Sequence, residues 1–101
     1  MNYQLVVQFQ RDLKDFDELI AIETEIAADV GERAFMDGHD FGSGEFNFFL
    51  FTDSPIESFD RLRPFLQRRG SGGKLSVAYR SRAEEKYVVL SPPGAKSFTV
   101  R

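Results

Sequence analysis

The densest group of chemically capable side chains is residues 37–45, Asp37-Gly38-His39-Asp40-Phe41-Gly42-Ser43-Gly44-Glu45. The run holds the chain's one histidine, three carboxylates and three glycines, and Asn47 follows closely. A histidine titrates near neutrality and can move a proton. Asp37, His39, Asp40 and Glu45 are also ligand types for a divalent cation. Each specific chemistry nevertheless lacks a component. A zinc site wants a second histidine or a cysteine, and neither exists in the chain. A calcium loop wants an oxygen at its fifth position, where Phe41 stands. A phosphate loop sets its glycines before a helix and adds a lysine, whereas these precede a strand. Ser43, His39 and Asp40 are the types of a hydrolytic triad, but triads draw on separate loops rather than one extended segment.

No metal and no cofactor are therefore expected, and no catalytic residue is assigned. The residues best placed to bind something are Asp37, His39, Asp40, Ser43, Glu45 and Asn47, grouped beside a strand. A plainer role is open to all of them. Asp-Gly and Gly-Ser-Gly are turn or bulge chemistry, glycine supplies positive φ, and short polar side chains bond neighbouring amides.

The elements that hold this group follow from hydrophobic periodicity. Residues 3–10 alternate, with Tyr3, Leu5, Val7 and Phe9 on one side and Gln4, Val6, Gln8 and Gln10 on the other, which reads as a strand. Asp15 opens a helix with Glu18 three places on, a capping-box spacing. Phe16, Leu19, Ile20, Ile22, Ile26, Ala27 and Val30 form its apolar stripe, and Gly31 ends it. Residues 33–41 read as a second strand, Gly42-Ser43-Gly44 as a tight turn and residues 45–52 as a third strand. Ser54-Pro55-Ile56-Glu57 starts a second helix, with Ile56, Phe59, Leu62, Phe65 and Leu66 buried and Pro64 kinking or dividing it. After the flexible Gly70-Ser71-Gly72-Gly73, residues 74–80 alternate as a fourth strand. Tyr87–Leu90 is a further apolar run, and Phe98-Thr99-Val100 adds a last short strand or a tail.

The order predicts one α+β domain of the ferredoxin-like βαββαβ type over residues 1–101. It would be an antiparallel sheet with two helices on one face and a C-terminal extension from about residue 82. The chain's 101 residues suffice for one core without staples. With no cysteine there is no disulfide and no thiolate nucleophile, which suits a reducing cytosol. No signal peptide is expected, because the chain opens on a strand pattern. No apolar run approaches a membrane span. Residues 1–60 carry fourteen acids and three bases, and residues 61–101 two acids and ten bases. Either the halves neutralise each other in the fold or they present a polarised surface.

Strand 45–52 is apolar on both sides, with Phe46, Phe48 and Leu50 opposite Phe49 and Phe51. Its second side therefore needs a cover: the C-terminal segment, a second copy in a homodimer, or a ligand or protein partner. The aromatic run resembles half of an RNA-recognition-motif signature. The basic residue and glycine expected ahead of it are Gly44 and Glu45 here, and the chain is acidic overall, so nucleic acid is not expected.

The pattern Asp37-Gly38-His39-Asp40 with Gly42-Ser43-Gly44-Glu45 and Asn47 resembles a family of small uncharacterised bacterial proteins of this length. That resemblance covers most of the chain and implies no activity. The reading that remains is a non-enzymatic protein-interaction or regulatory module, of which an immunity-type protein is one form. Its alternative is a cofactor-free enzyme or small-molecule binder of the dimeric ferredoxin-like kind, with His39 as acid/base.

Overall fold

A computed structural model describes the chain except for residues 43, 70–74, 93–97, 99 and 101. The elements run β1 (Tyr3–Phe9), α1 (Phe16–Val30), a 3-10 turn (Gly31–Arg33), β2 (Ala34–Gly42), β3 (Glu45–Thr52), α2 (Pro55–Arg61), α3 (Arg63–Arg69), β4 (Leu75–Ser81) and β5 (Val88–Ser91). The strands form one sheet in the order β2-β3-β1-β4-β5, every neighbouring pair antiparallel.

The class is α+β as expected, but among the described residues four strands and two α-helices become five and three. The extension begins as a strand: Val88–Ser91 pairs with β4 and takes the sheet edge. The second helix is divided rather than kinked. Pro64 has no N–H to continue the ladder. The break falls at Leu62, whose amide bonds the carbonyls of Ser58 at 3.2 Å and Phe59 at 3.0 Å. The expected connection over residues 70–73 and Thr99 lie outside the described residues; Phe98 and Val100, on either side of Thr99, are not in a strand.

One face of the sheet meets the helices. Leu5, Val7 and Phe9 of β1, Phe46, Phe48 and Leu50 of β3, and Leu75 and Val77 of β4 pack against Leu19, Ile22, Ile26 and Val30 of α1 and Phe59, Leu62 and Phe65 of α2 and α3. The buried line of α1 is narrower than the stripe in its sequence. Phe16 and Ile20 are 64% and 51% exposed, and Ala27 also faces water. Ile56 is likewise exposed on α2.

Caps explain the helix starts. The Asp15 carboxylate accepts the Glu18 amide at 2.8 Å. Glu18 returns to the Lys14 amide at 3.0 Å, one residue before the position a capping box would use. Gly31, at φ 57°, ends α1 in a conformation that disfavours a side chain. At α2, Ser54 holds the cap position but its side chain makes no capping bond. Thr52 Oγ1 accepts the Ser54 amide instead, at 3.0 Å.

Among the described residues the other face of the central strands carries no helix, yet Val6, Gln8, Asn47 and Ala78 are buried there. Part of the cover is visible. Tyr87 reaches Gln4 through its hydroxyl at 3.4 Å, Arg80 stacks on its ring, and Phe98 packs against it at 5.0 Å. The C-terminal segment thus reaches this face through Phe98. The charge segregation is partly internal too: Arg68 and Arg69 of α3 pair with Glu25 and Asp29 of α1. Among the described residues no helix is long and apolar enough to cross a membrane.

Candidate functional site

Strand register decides which side chains of residues 37–47 can act together. Before the bulge, Met36 pairs with Leu50, and the two share the helix-covered face. Regular alternation from Met36 would send Gly38 to that face and His39 to the other. The pairing instead runs Met36 to Leu50 and Gly38 to Phe49, leaving Asp37 as the extra residue of a bulge. Every later residue changes sides. His39 then pairs with Phe48 and Phe41 with Phe46 on the helix side, while Asp40 pairs with Asn47 on the open side.

The structure accordingly divides the predicted group. Asp40, Glu45 and Asn47 come together on the open face. Asn47 is fully buried, and its Nδ2 donates to Asp40 Oδ1 and to Glu45 Oε2, each at 3.0 Å. Its Oδ1 accepts from Gln8 Nε2 of β1 at 3.0 Å, and Gln8 also reaches Glu45 at 3.4 Å. Gln10 extends the chain by donating to Gln8 Oε1 at 3.4 Å. This is a polar ladder across three strands, with two carboxylates converging on one amide. Among the described residues no buried side-chain nitrogen or oxygen lacks a hydrogen-bond partner, as buried polar groups require.

His39 stands apart from that ladder. Its Nδ1 lies 3.1 Å from Glu23 Oε2 of α1, and its ring lies near Phe41 and Phe48. Asp37 is exposed at the bulge. Ser43 lies outside the described residues. Among the described residues no group of three or more His, Cys, Asp and Glu side chains could hold a metal ion.

Two further contacts fix the tip of the β2–β3 hairpin. Asp12, from the β1–α1 connection, accepts the Gly44 amide at 2.6 Å. Gly44 sits at φ 85°, where a side chain would be strained. Arg11 pairs with Glu18 through both guanidinium nitrogens, at 2.9 and 3.2 Å, and lies over Phe9 and Phe46. The Arg11 hydrogen bonds hold the Glu18 carboxyl below the usual glutamate range; burial opposes the shift and the Lys14 amide supports it.

Gln8, Glu23, Arg11 and Asp12 belong to this region and escape the sequence reading. Only Gln8 leaves a trace: glutamine recurs at 4, 8 and 10 along the non-core side of β1. The partnership of Glu23 with His39 has no local signal, because sixteen residues separate them.

What the arrangement presents outward is the β2 edge. It is a nine-residue outer strand with Phe35 57% and Phe41 58% exposed on either side of exposed Asp37 and Asp40. No protein-family model, curated protein or solved structure matches the chain.

Proposed function

We propose that the chain is a non-enzymatic interaction module that takes an extended, basic segment of a partner protein along β2. The observation that carries this reading is the composition of the outer strand: within nine residues two exposed phenylalanines, Phe35 and Phe41, flank two exposed aspartates, Asp37 and Asp40. An outer strand offers unpaired N–H and C=O groups, and added strands use them for affinity. The bulge and the acids alone would serve to blunt the edge against self-association. Phe35 and Phe41 work against that protective purpose, because they leave large apolar surface beside the open backbone. The acids give the surface a sign, so arginine or lysine in the arriving segment is favoured and encounter is steered.

The scaffold behind this reading is taken to be ferredoxin-like. Its support is the antiparallel order β2-β3-β1-β4 with helices inserted after β1 and β3, to which β5 is an added edge. The rigid ladder of Asp40, Asn47 and Gln8 holds the hairpin that displays the edge. The alternative, His39 as acid/base, rests on one contact: Glu23 Oε2 lies 3.1 Å from His39 Nδ1, the position from which a carboxylate orients an imidazole.

The test is NMR titration with two labelled peptides of alternating design, arginine–valine and glutamate–valine. The arginine peptide should shift amides within residues 34–42, weaken as salt rises, and lose its effect in Phe41→Lys. The proposal is overturned if neither peptide moves those amides, or if the glutamate peptide binds equally well.

A further inference from the structure

The second feature lies across the molecule from β2. A cavity of about 320 Å³ opens between the divided helix and the new edge strand, lined by Phe59, Arg63, Leu66, Gln67, Leu90 and Ser91. Phe59 comes from α2, Arg63, Leu66 and Gln67 from α3, and Leu90 and Ser91 from β5, so the cavity lies where the divided helix meets the edge strand. The volume falls at the small end of ligand-binding clefts.

The lining has two kinds of surface. Phe59, Leu66 and Leu90 are the flank of the hydrophobic core, so the floor is apolar and continuous with well-packed protein. Arg63, Gln67 and Ser91 supply the polar side. The Arg63 guanidinium lies 5.1 Å from the centre of the Phe59 ring. Its Nε donates to Asp60 Oδ1 at 3.0 Å, which orients the planar group, and Arg63 lines the cavity with no hydrogen bond from its terminal nitrogens among the described residues. A guanidinium held in this way recognises a carboxylate through paired hydrogen bonds. Asp60 offsets part of the positive charge, and Arg63 is the one cation of the lining among the described residues. One shared cation suits a monoanion better than a phosphate dianion.

From this combination we infer that the cavity is a binding site for a small monocarboxylate with an apolar body. The body would rest on Phe59, Leu66 and Leu90, and the carboxylate would meet Arg63, with Ser91 and Gln67 as further donors. This site shares no residue with the β2 edge, so the two proposals stand or fall separately.

Octanoate and its uncharged isostere octanamide are the probes, followed by amide NMR on the full chain. Octanoate should give saturable shifts at residues 59, 66, 67, 90 and 91 at millimolar concentration. Octanamide should bind roughly tenfold more weakly, the worth of one charge-assisted pair. Arg63→Gln should lose about the same factor, and Arg63→Lys should recover part of it. The Arg63 side chain is 62% exposed, so these variants should fold normally, and unchanged melting temperature checks that. The inference is overturned if the shifts lie elsewhere or fail to saturate. Equal binding of octanamide, or no loss in Arg63→Gln, would overturn it as well.

Discussion

Asn47 shows what a single side chain decides here. It is fully buried on a face that no helix covers, and its one amide satisfies Asp40, Glu45 and Gln8 together. Removing it leaves buried Gln8 short of a hydrogen bond, whereas exposed Asp40 can turn to water. Asn47→Ala should therefore cost about 1–3 kcal/mol in urea denaturation at pH 7. Asn47→Asp should cost more, although it is the closer isostere, because it replaces the donor with a third carboxylate. A carboxyl buried beside like charges keeps its proton to higher pH. Its folded-state pKa is raised, so the stability deficit should shrink as pH falls from 7 to 5. An Asn47→Asp protein as stable as the parent at pH 7 would show that the ladder is decorative.

At the level of elements, the bulge in β2 is the decisive irregularity. It assigns His39 to α1 and Asp40 to the open face. Deleting Asp37 should leave both assignments intact, since residues 38–42 keep their partners and only the extra residue disappears. The expected result is a folded protein with the His39–Glu23 contact retained by NMR and a greater tendency to self-associate, because bulges guard strand edges. Loss of the hairpin on deletion would mean that the bulge is structurally required. The α1–α3 contact offers a second measurement. Hydrogen bonding from Arg69, then Arg68, holds the Glu25 carboxyl below the ordinary glutamate range, against an opposing effect of burial. A folded-state pKa lower than the unfolded one, roughly 4.3, contributes stability at higher pH. That stability is lost as pH falls through the folded value. Melting temperature should decline below about pH 4, and Glu25→Gln should flatten the decline. At pH 7 the substitution should cost under about 1 kcal/mol, as expected for a partly exposed pair.

For the molecule as a whole, the two faces of the sheet are stabilised by different means. The helix side is a continuous core that includes fully buried Phe48, packed on the rings of Phe9 and Phe46, and Phe48→Ala should cost about 3–5 kcal/mol by chemical denaturation. The open side is covered piecemeal, by Tyr87, Arg80 and Phe98 where they are described. Phe98→Ala should cost about 1 kcal/mol, on the scale of one aromatic pair. A cost as large as that of Phe48→Ala would show that the C-terminal segment belongs to the core. The proposed partner edge at β2 and the proposed ligand cavity beside β5 lie at opposite edges of one sheet.

Local patterns determined the elements. Alternation in residues 3–9, the Asp15 cap, Gly31, the aromatic strand 45–52 and the break near Pro64 are all effects of neighbours in sequence, and each was legible there. The antiparallel α+β class followed from their order. Tertiary structure decided the rest. One bulged residue reversed the facing of His39 and Asp40, and no pattern of residue types encodes parity once alternation is interrupted. The apolar stripe of α1 could not reveal that Phe16 and Ile20 stay exposed, because burial depends on how wide a partner the helix meets. The strand formed by Val88–Ser91 and the cavity beside it arise from an edge of β4 left open for pairing, a property of the assembled sheet and of no segment alone.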